Sequence, residues 1–334
     1  MRVAIVKLSA MGDIIHACLV LQFIKREFPK AKIDWIVEDV FAPLLKNNPD
    51  IDSVYSVSLK KIKKNKNFSL LMKNIKTLKS LGTYDYIIDM QGLFKSALVA
   101  KMIGKNIYGF DKNSTREKIA TLFYKKSFSI PYDLNVILRG VKLVENSLNT
   151  TITNDDILNK KPFLFSDKKA KESIKEYLKG KEKPITVVVG ASWKSKIYPP
   201  ELMAQMLEKL QKNAYLVWGN EEEERMANEI AKLTKYAVKA KKFTIEELIE
   251  FIASSRLVIG ADTGPVHMAW ALNVPSVTIF GPTPYFRNTM TTNINKTIDS
   301  GKKIDPSNLD KNDFCIKNIL PQEIAKLASE LIGE

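Results

Sequence analysis

Two cysteines and two histidines are all that 334 residues hold of those types. That scarcity excludes a disulfide-stapled secreted scaffold and leaves no Cys/His group with metal-ligand spacing, so neither a bound metal nor another cofactor is expected. Cys18 falls among helix-spaced apolar residues and reads as a buried, reduced thiol, which makes the cytoplasm the default compartment. No apolar run approaches the roughly 18–20 residues that span a bilayer. The first one, Val3–Val6, is cut short by Lys7 and reads as a buried strand, not a signal peptide. Acidic residues fall short of basic ones, giving a net charge of +15, of which +11 lies in residues 1–160. The densest run is Lys60, Lys61, Lys63, Lys64 and Lys66. Such a surface attracts phosphate-rich partners, whether nucleic acid, anionic lipid or phosphorylated glycan, and a solvated basic loop is an equal alternative.

What is present is an alternation of strand and helix patterns across both halves. The first half reads as strands at 3–7, 33–37, 54–57 and 86–89, with helices at 14–28, 69–80 and 94–103. The second reads as strands at 185–189, 214–218 and 237–239, with helices at 200–211, 222–233 and 244–254. It ends in the strand–turn–helix–strand segment Leu257–Thr283, and after that the pattern weakens until a helix at 321–332. Alternation of this kind implies mostly parallel sheets covered on both faces, with ligands at the carboxyl ends of the strands. Around 146–167 the composition turns to Asn, Thr, Asp and Lys, the best place for a linker. The expected organisation is therefore a domain over 1–160, a second over 161–320 and a closing helix over 321–334.

Four turns fall at strand ends. Ser9–Asp13 places Gly12 and Asp13 at a helix start, where Asp13 serves equally well as a helix cap or as a catalytic carboxylate. The turn lacks the G-x-G-x-x-G spacing of a dinucleotide site, which weighs against an oxidoreductase. Gly190–Lys196 offers a hydroxyl at Ser192 and a cation at Lys196. Trp218-Gly219-Asn220 precedes four glutamates that suit the positive end of a helix dipole, and one of them is placed to accept ribose hydroxyls. The fourth, Asp262-Thr263-Gly264 with His267 one turn on, opens a helix whose amides form an anion site. Together the second half offers phosphate donors, a cation and a ribose acceptor. That set suits a nucleoside diphosphate.

At these residues the chain resembles the bacterial heptosyltransferases of glycosyltransferase family 9. The resemblance runs through RVAIVKLSAMGDIIHA, DWIVE, YDYIIDMQGLFKSALVAK, STREKIATLFY, KIYP, WGNEEEERMA and DTGPVHMAWAL…VTIFGPT, in order. It implies the α/β glycosyltransferase B fold, two Rossmann-like doubly wound domains facing a cleft. It also implies inverting, metal-independent transfer of L-glycero-D-manno-heptose from ADP-heptose to Kdo of Kdo2-lipid A, addition of the second heptose being the alternative. By resemblance Asp13 is the general base. Ser192 and Lys196 hold the diphosphate, Asp262, Thr263 and Gly264 open the phosphate-facing helix, and His267 supports that turn. Glu222 takes the ribose and Phe243 lies against adenine. Lys60, Lys61, Lys63, Lys64 and Arg116 face acceptor phosphates, with Gln91 and Lys95 lining the same site. Peripheral association with the cytoplasmic face of an anionic inner membrane follows, and no nucleic acid is expected, since no helix-turn-helix, zinc or aromatic-basic motif accompanies the charge. Residues 284–320 match the family poorly.

Overall fold

The computed structural model describes residues 1–333. The chain divides into two compact units, Met1–Phe163 and Leu164 onward. The first is built on a six-stranded sheet of β1 (Arg2–Val6), β2 (Lys32–Glu38), β3 (Ser53–Val57), β4 (Tyr86–Asp89), β5 (Ile107–Phe110) and β6 (Lys126–Phe128). Its order is β3-β2-β1-β4-β5-β6, and every pairing is parallel. β1 from Val3 and β2 from Ile33 are buried to their ends, Asp34 and Glu38 included, as strands covered on both faces are.

The second unit repeats the plan with β7 (Ile185–Val188), β8 (Ala214–Val217), β9 (Ala237–Lys239), β10 (Leu257–Ala261), β11 (Ser276–Phe280) and β12 (Asn295–Asp299). Its order is β12-β11-β10-β7-β8-β9, again wholly parallel. Counted within each unit, the two orders are the same. Both reverse direction beside the unit's first strand, between β1 and β4 and between β7 and β10. Crevices at such reversals are where open α/β sheets bind ligands.

Several elements depart from the sequence expectation. The helix expected over 14–28 is two, Met11–Cys18 and Val20–Glu27, meeting at Leu19. β5, β6 and the helix Val136–Leu148 lie where no pattern was read; β6 has three residues, too few to show a period. The segment expected to be a linker carries the helix Asn154–Leu158, capped by Thr153. The helix Pro321–Ile332 packs on the helix Pro200–Leu210 and against β10 and β11, and it belongs to the second core. Both cysteines are free and buried, and burial pushes the Cys18 thiol pKa far up. Among the described residues no helix is long and apolar enough to cross a membrane.

Candidate active site

In the second unit the reversal brings the turns after β7 and β10 together. Lys196 ends a short 3-10 turn, Lys194–Lys196, whose amide donates to Trp193 O at 3.1 Å. Just beyond it, Tyr198 is pinned by its hydroxyl donating to Ile319 O at 2.7 Å. So fixed, the Lys196 ammonium donates to Asp262 Oδ2 at 2.8 Å, and both side chains are less than a tenth exposed.

Asp262 collects three further donors. His267 Nε2 lies 3.0 Å from Oδ1, and because an ionised carboxylate only accepts, that nitrogen carries the proton. Thr283 Oγ1 donates to Oδ2 at 2.9 Å and Asn288 Nδ2 at 3.2 Å. Burial alone would raise the Asp262 pKa. The Lys196 charge, the His267 contact and the hydrogen bonds overcome it and hold the carboxyl far below its usual range. The Asp262 carboxylate therefore faces its own scaffold, and it is a positioning group for Lys196. The turn's free amides are also fewer than the sequence suggests. Pro265 has none, and those of Val266 and His267 bond back to Thr263 O. That leaves Thr263 and Gly264, both partly exposed, as its backbone donors.

Ser192 is exposed on the same loop. Glu222 is exposed on the first turn of the helix Glu221–Leu233 and reaches no strand end. The acidic side chain that does so is Glu223. Its Oε2 accepts from Gly219 N at 2.7 Å, and its carboxyl packs over Gly190, where an added Cβ would meet Glu223 Cδ and Oε1 at 2.3 Å. The signal was legible: with Asn220 as the N-cap, Glu223 is the third helical residue, the place from which a glutamate reaches back. Gly190→Ala is accordingly expected to displace Glu223 and to destabilise the second unit by about 1–3 kcal/mol, while Glu222→Ala, at an exposed position, changes stability by less than about 0.5 kcal/mol. Denaturant unfolding of the two variants checks this; equal effects would overturn it. Phe243 is half-buried in an aromatic cluster, 4.6 Å from Phe251 and 5.8 Å from Tyr177 between ring centroids.

In the first unit the corresponding turns are braced without an ion pair. Gln91, after β4, accepts the amides of Leu8 and Ser9 on its Oε1 at 3.1 and 3.2 Å. That turn is held in its own right by buried Asp89, which accepts from the amides of Gln91 and Gly92 and from the hydroxyls of Ser96 and Tyr124. Gln91 thus braces the β1 turn. Lys95 reaches Ser9 Oγ at 3.5 Å. Asp13 stands exposed in the first helical turn, accepting from Ala10 N at 3.2 Å on Oδ2. The capping contact is real, and it engages one oxygen of the carboxylate.

The basic residues gather at the same edge. Lys60, Lys61, Lys63 and Lys64 are exposed on the helix Leu59–Asn65 that follows β3; Lys61 pairs with Asp39 at 2.6 Å. Lys60 N donates to buried Glu38, whose carboxyl pKa burial pushes up. Arg116 is exposed between Thr115 and Glu117, which bond to Gly92 O and Phe94 N, so it is held beside the β4 turn. Among the described residues no group of three or more His, Cys, Asp or Glu side chains is gathered as a metal site would need.

Two successive doubly wound units are the plan of the glycosyltransferase B fold, and the likeness to solved heptosyltransferases shows that fold for this chain. The chain belongs to glycosyltransferase family 9, the heptosyltransferases, whose family model matches residues 72–310, and it is an enzyme of that kind in lipopolysaccharide core synthesis. It is 41% identical to lipopolysaccharide heptosyltransferase 1 of Campylobacter coli over 100% of both chains. It is 27% identical to that of Pseudomonas aeruginosa, covering 85% of this chain and 79% of the relative. Among solved structures, Escherichia coli heptosyltransferase WaaC with ADP superposes with a TM-score of 0.81 at 23% identity over 99% of each chain. Escherichia coli heptosyltransferase II gives 0.75 at 18% identity, over 99% of this chain and 98% of the other.

Proposed function

We propose that this enzyme transfers L-glycero-D-manno-heptose from ADP-heptose to Kdo of Kdo2-lipid A, the first heptose of the inner core. The observation that carries the donor half is the buried Lys196–Asp262 pair beside the Thr263 and Gly264 amides. Such a site offers a fixed cation and backbone dipoles to a departing diphosphate, the work a metal ion does elsewhere. The whole-length likeness to a type 1 enzyme supports the acceptor, and solved relatives hold ADP and ADP-2-deoxy-2-fluoro heptose.

In this reading Lys196 takes the diphosphate, with Ser192 as a hydroxyl donor, while Asp262, His267, Thr283 and Asn288 hold Lys196 in place. Glu223 takes the ribose hydroxyls in preference to Glu222, and Phe243 flanks adenine. Asp13 accepts the proton of the acceptor hydroxyl as its oxygen bonds to the anomeric carbon. The anomeric C–O bond breaks, its electron pair leaves with ADP, and the configuration inverts. No metal takes part. Lys60, Lys61, Lys63, Lys64, Lys95 and Arg116 attract the acceptor's carboxylates and phosphates. The enzyme works as a peripheral protein on the cytoplasmic face of the inner membrane.

The test is transfer from ADP-heptose to Kdo2-lipid A, run beside an acceptor that already carries one heptose. Transfer to the first is expected. Transfer to the heptosylated acceptor alone would move the enzyme to the second step, and no transfer to either would remove both acceptors.

A further inference from the structure

Three neighbouring elements of the first unit leave their apolar side chains uncovered. The helix Phe68–Lys79 exposes Phe68 and Met72, four residues apart on one face. The helix Phe94–Ile103, packed against it, exposes Phe94 and Leu98 at the same spacing. The 3-10 turn Lys118–Phe123, packed on that helix through an edge-on contact of Phe94 with Phe123 at 5.9 Å, exposes Ile119 and Leu122. Phe68 is 70% exposed and Leu122 80%, so these side chains project from the surface and do not line a groove. Large apolar groups clustered this way mark an interaction surface.

Charge says what covers it. Residues 53–84 contain eight lysines and no acidic residue. Lys73 and Lys76 are exposed on the Phe68 helix itself, Lys101 on its neighbour and Lys118 on the 3-10 turn. Projecting apolar side chains ringed by flexible cations match an anionic bilayer, where rings and aliphatic chains enter the acyl boundary and ammonium groups stay among phosphates. A protein partner of fixed shape would call instead for a concave or flat, charge-depleted centre.

We propose that this surface docks the enzyme on anionic lipid, with Phe68, Met72, Ile119 and Leu122 entering the bilayer and the surrounding lysines in the headgroup layer. Lys95 and Arg116 stand on the same elements or beside them, so the docked face borders the edge where the acceptor-side residues gather. The inference deepens the proposed function by naming the surface that meets the acceptor's membrane, and it is tested without donor or acceptor.

The test is flotation of the full chain with vesicles of phosphatidylglycerol and phosphatidylethanolamine, against vesicles of phosphatidylcholine. Binding to the anionic vesicles is expected, weakened by salt. Phe68→Ser combined with Leu122→Ser should lower the partition coefficient at least about tenfold while ADP affinity stays at the wild-type value. A second readout does not depend on a destabilising change: emission added by Leu122→Trp should be quenched by brominated acyl chains. No binding to anionic vesicles, equal binding of the double variant, or an unquenched Trp would each overturn the proposal. So would dimers in sedimentation that the double variant abolishes in the absence of vesicle binding, since a second copy would then be the occupant. A wild-type chain that transfers heptose but does not bind anionic vesicles would overturn this surface alone, and one that binds them but transfers no heptose would overturn the proposed reaction alone.

Discussion

Lys196→Ala is expected to lower ADP-heptose affinity about 100-fold or more and to destabilise the second unit by about 3 kcal/mol. Both effects come from one ammonium group. It is a buried cation held on the residue that precedes the turn amides, and it is the counter-charge of Asp262, whose side chain is buried with it. Truncating one partner of a buried pair strands the other charge away from water, and that penalty exceeds the net worth of the pair. Lys196→Met with Asp262→Asn removes both charges and should restore most of the stability but none of the affinity. Denaturant unfolding and calorimetric titration of the single and double variants separate the two roles. Unchanged ADP-heptose affinity in Lys196→Ala would take the lysine out of the diphosphate site. The same pair sets a pH dependence. Folding depresses the Asp262 pKa, so its contribution is fully present above the unfolded carboxyl value and is lost as pH falls toward the folded one. The double variant should therefore lose less stability than wild type between about pH 5 and 2.

Asp13→Ala is expected to lower kcat about 1,000-fold, within the range a general base contributes, while ADP affinity stays within about twofold of wild type. The carboxylate belongs to the first unit, whereas every residue assigned to ADP belongs to the second. Stability should change by less than about 1 kcal/mol, because the only bond lost is an exposed one to Ala10 N. The comparison distinguishes the two roles that the sequence leaves open for Asp13. Both roles allow the same small stability loss, but a helix cap alone leaves kcat within about tenfold of wild type, whereas a base lowers it about 1,000-fold. Asp13→Asn sharpens the test, since it keeps the acceptor oxygen for Ala10 and removes the basicity.

The alternation of patterns made the two parallel sheets legible, because strands buried on both faces read as apolar runs whatever their order. β4 and the helices Phe94–Ile103 and Pro321–Ile332 fall where the periodicity puts them. Strand order is another matter, as nothing in the spacing of β7 and β10 says that they pair. Lys196 and Asp262, 66 residues apart, were therefore visible as two separate turn residues and not as an ion pair. Asn288 was invisible for a further reason. It lies on the four-residue helix Tyr285–Asn288, too short for a periodic signal, and its amide matters only because Asp262 is within reach. β12, at the edge of the second sheet, mixes Asn, Lys, Thr and Asp, as a half-covered strand allows, and gives no apolar run to read. The apolar face of the first unit escaped notice because exposed and buried apolar residues at helical spacing look identical until the packing is known.

The identical strand order of the two sheets has a consequence for how such a chain changes over time. Neither sheet takes a strand from the other unit, and each unit closes its own core. In the proposed reading, donor chemistry is written wholly in one unit and acceptor chemistry in the other. Substitutions that retune one ligand then leave the other's binding residues untouched. An enzyme assembled this way can take up a new acceptor by altering Lys60–Lys64, Lys95 and Arg116, while the Lys196–Asp262 pair and its supports are inherited unchanged.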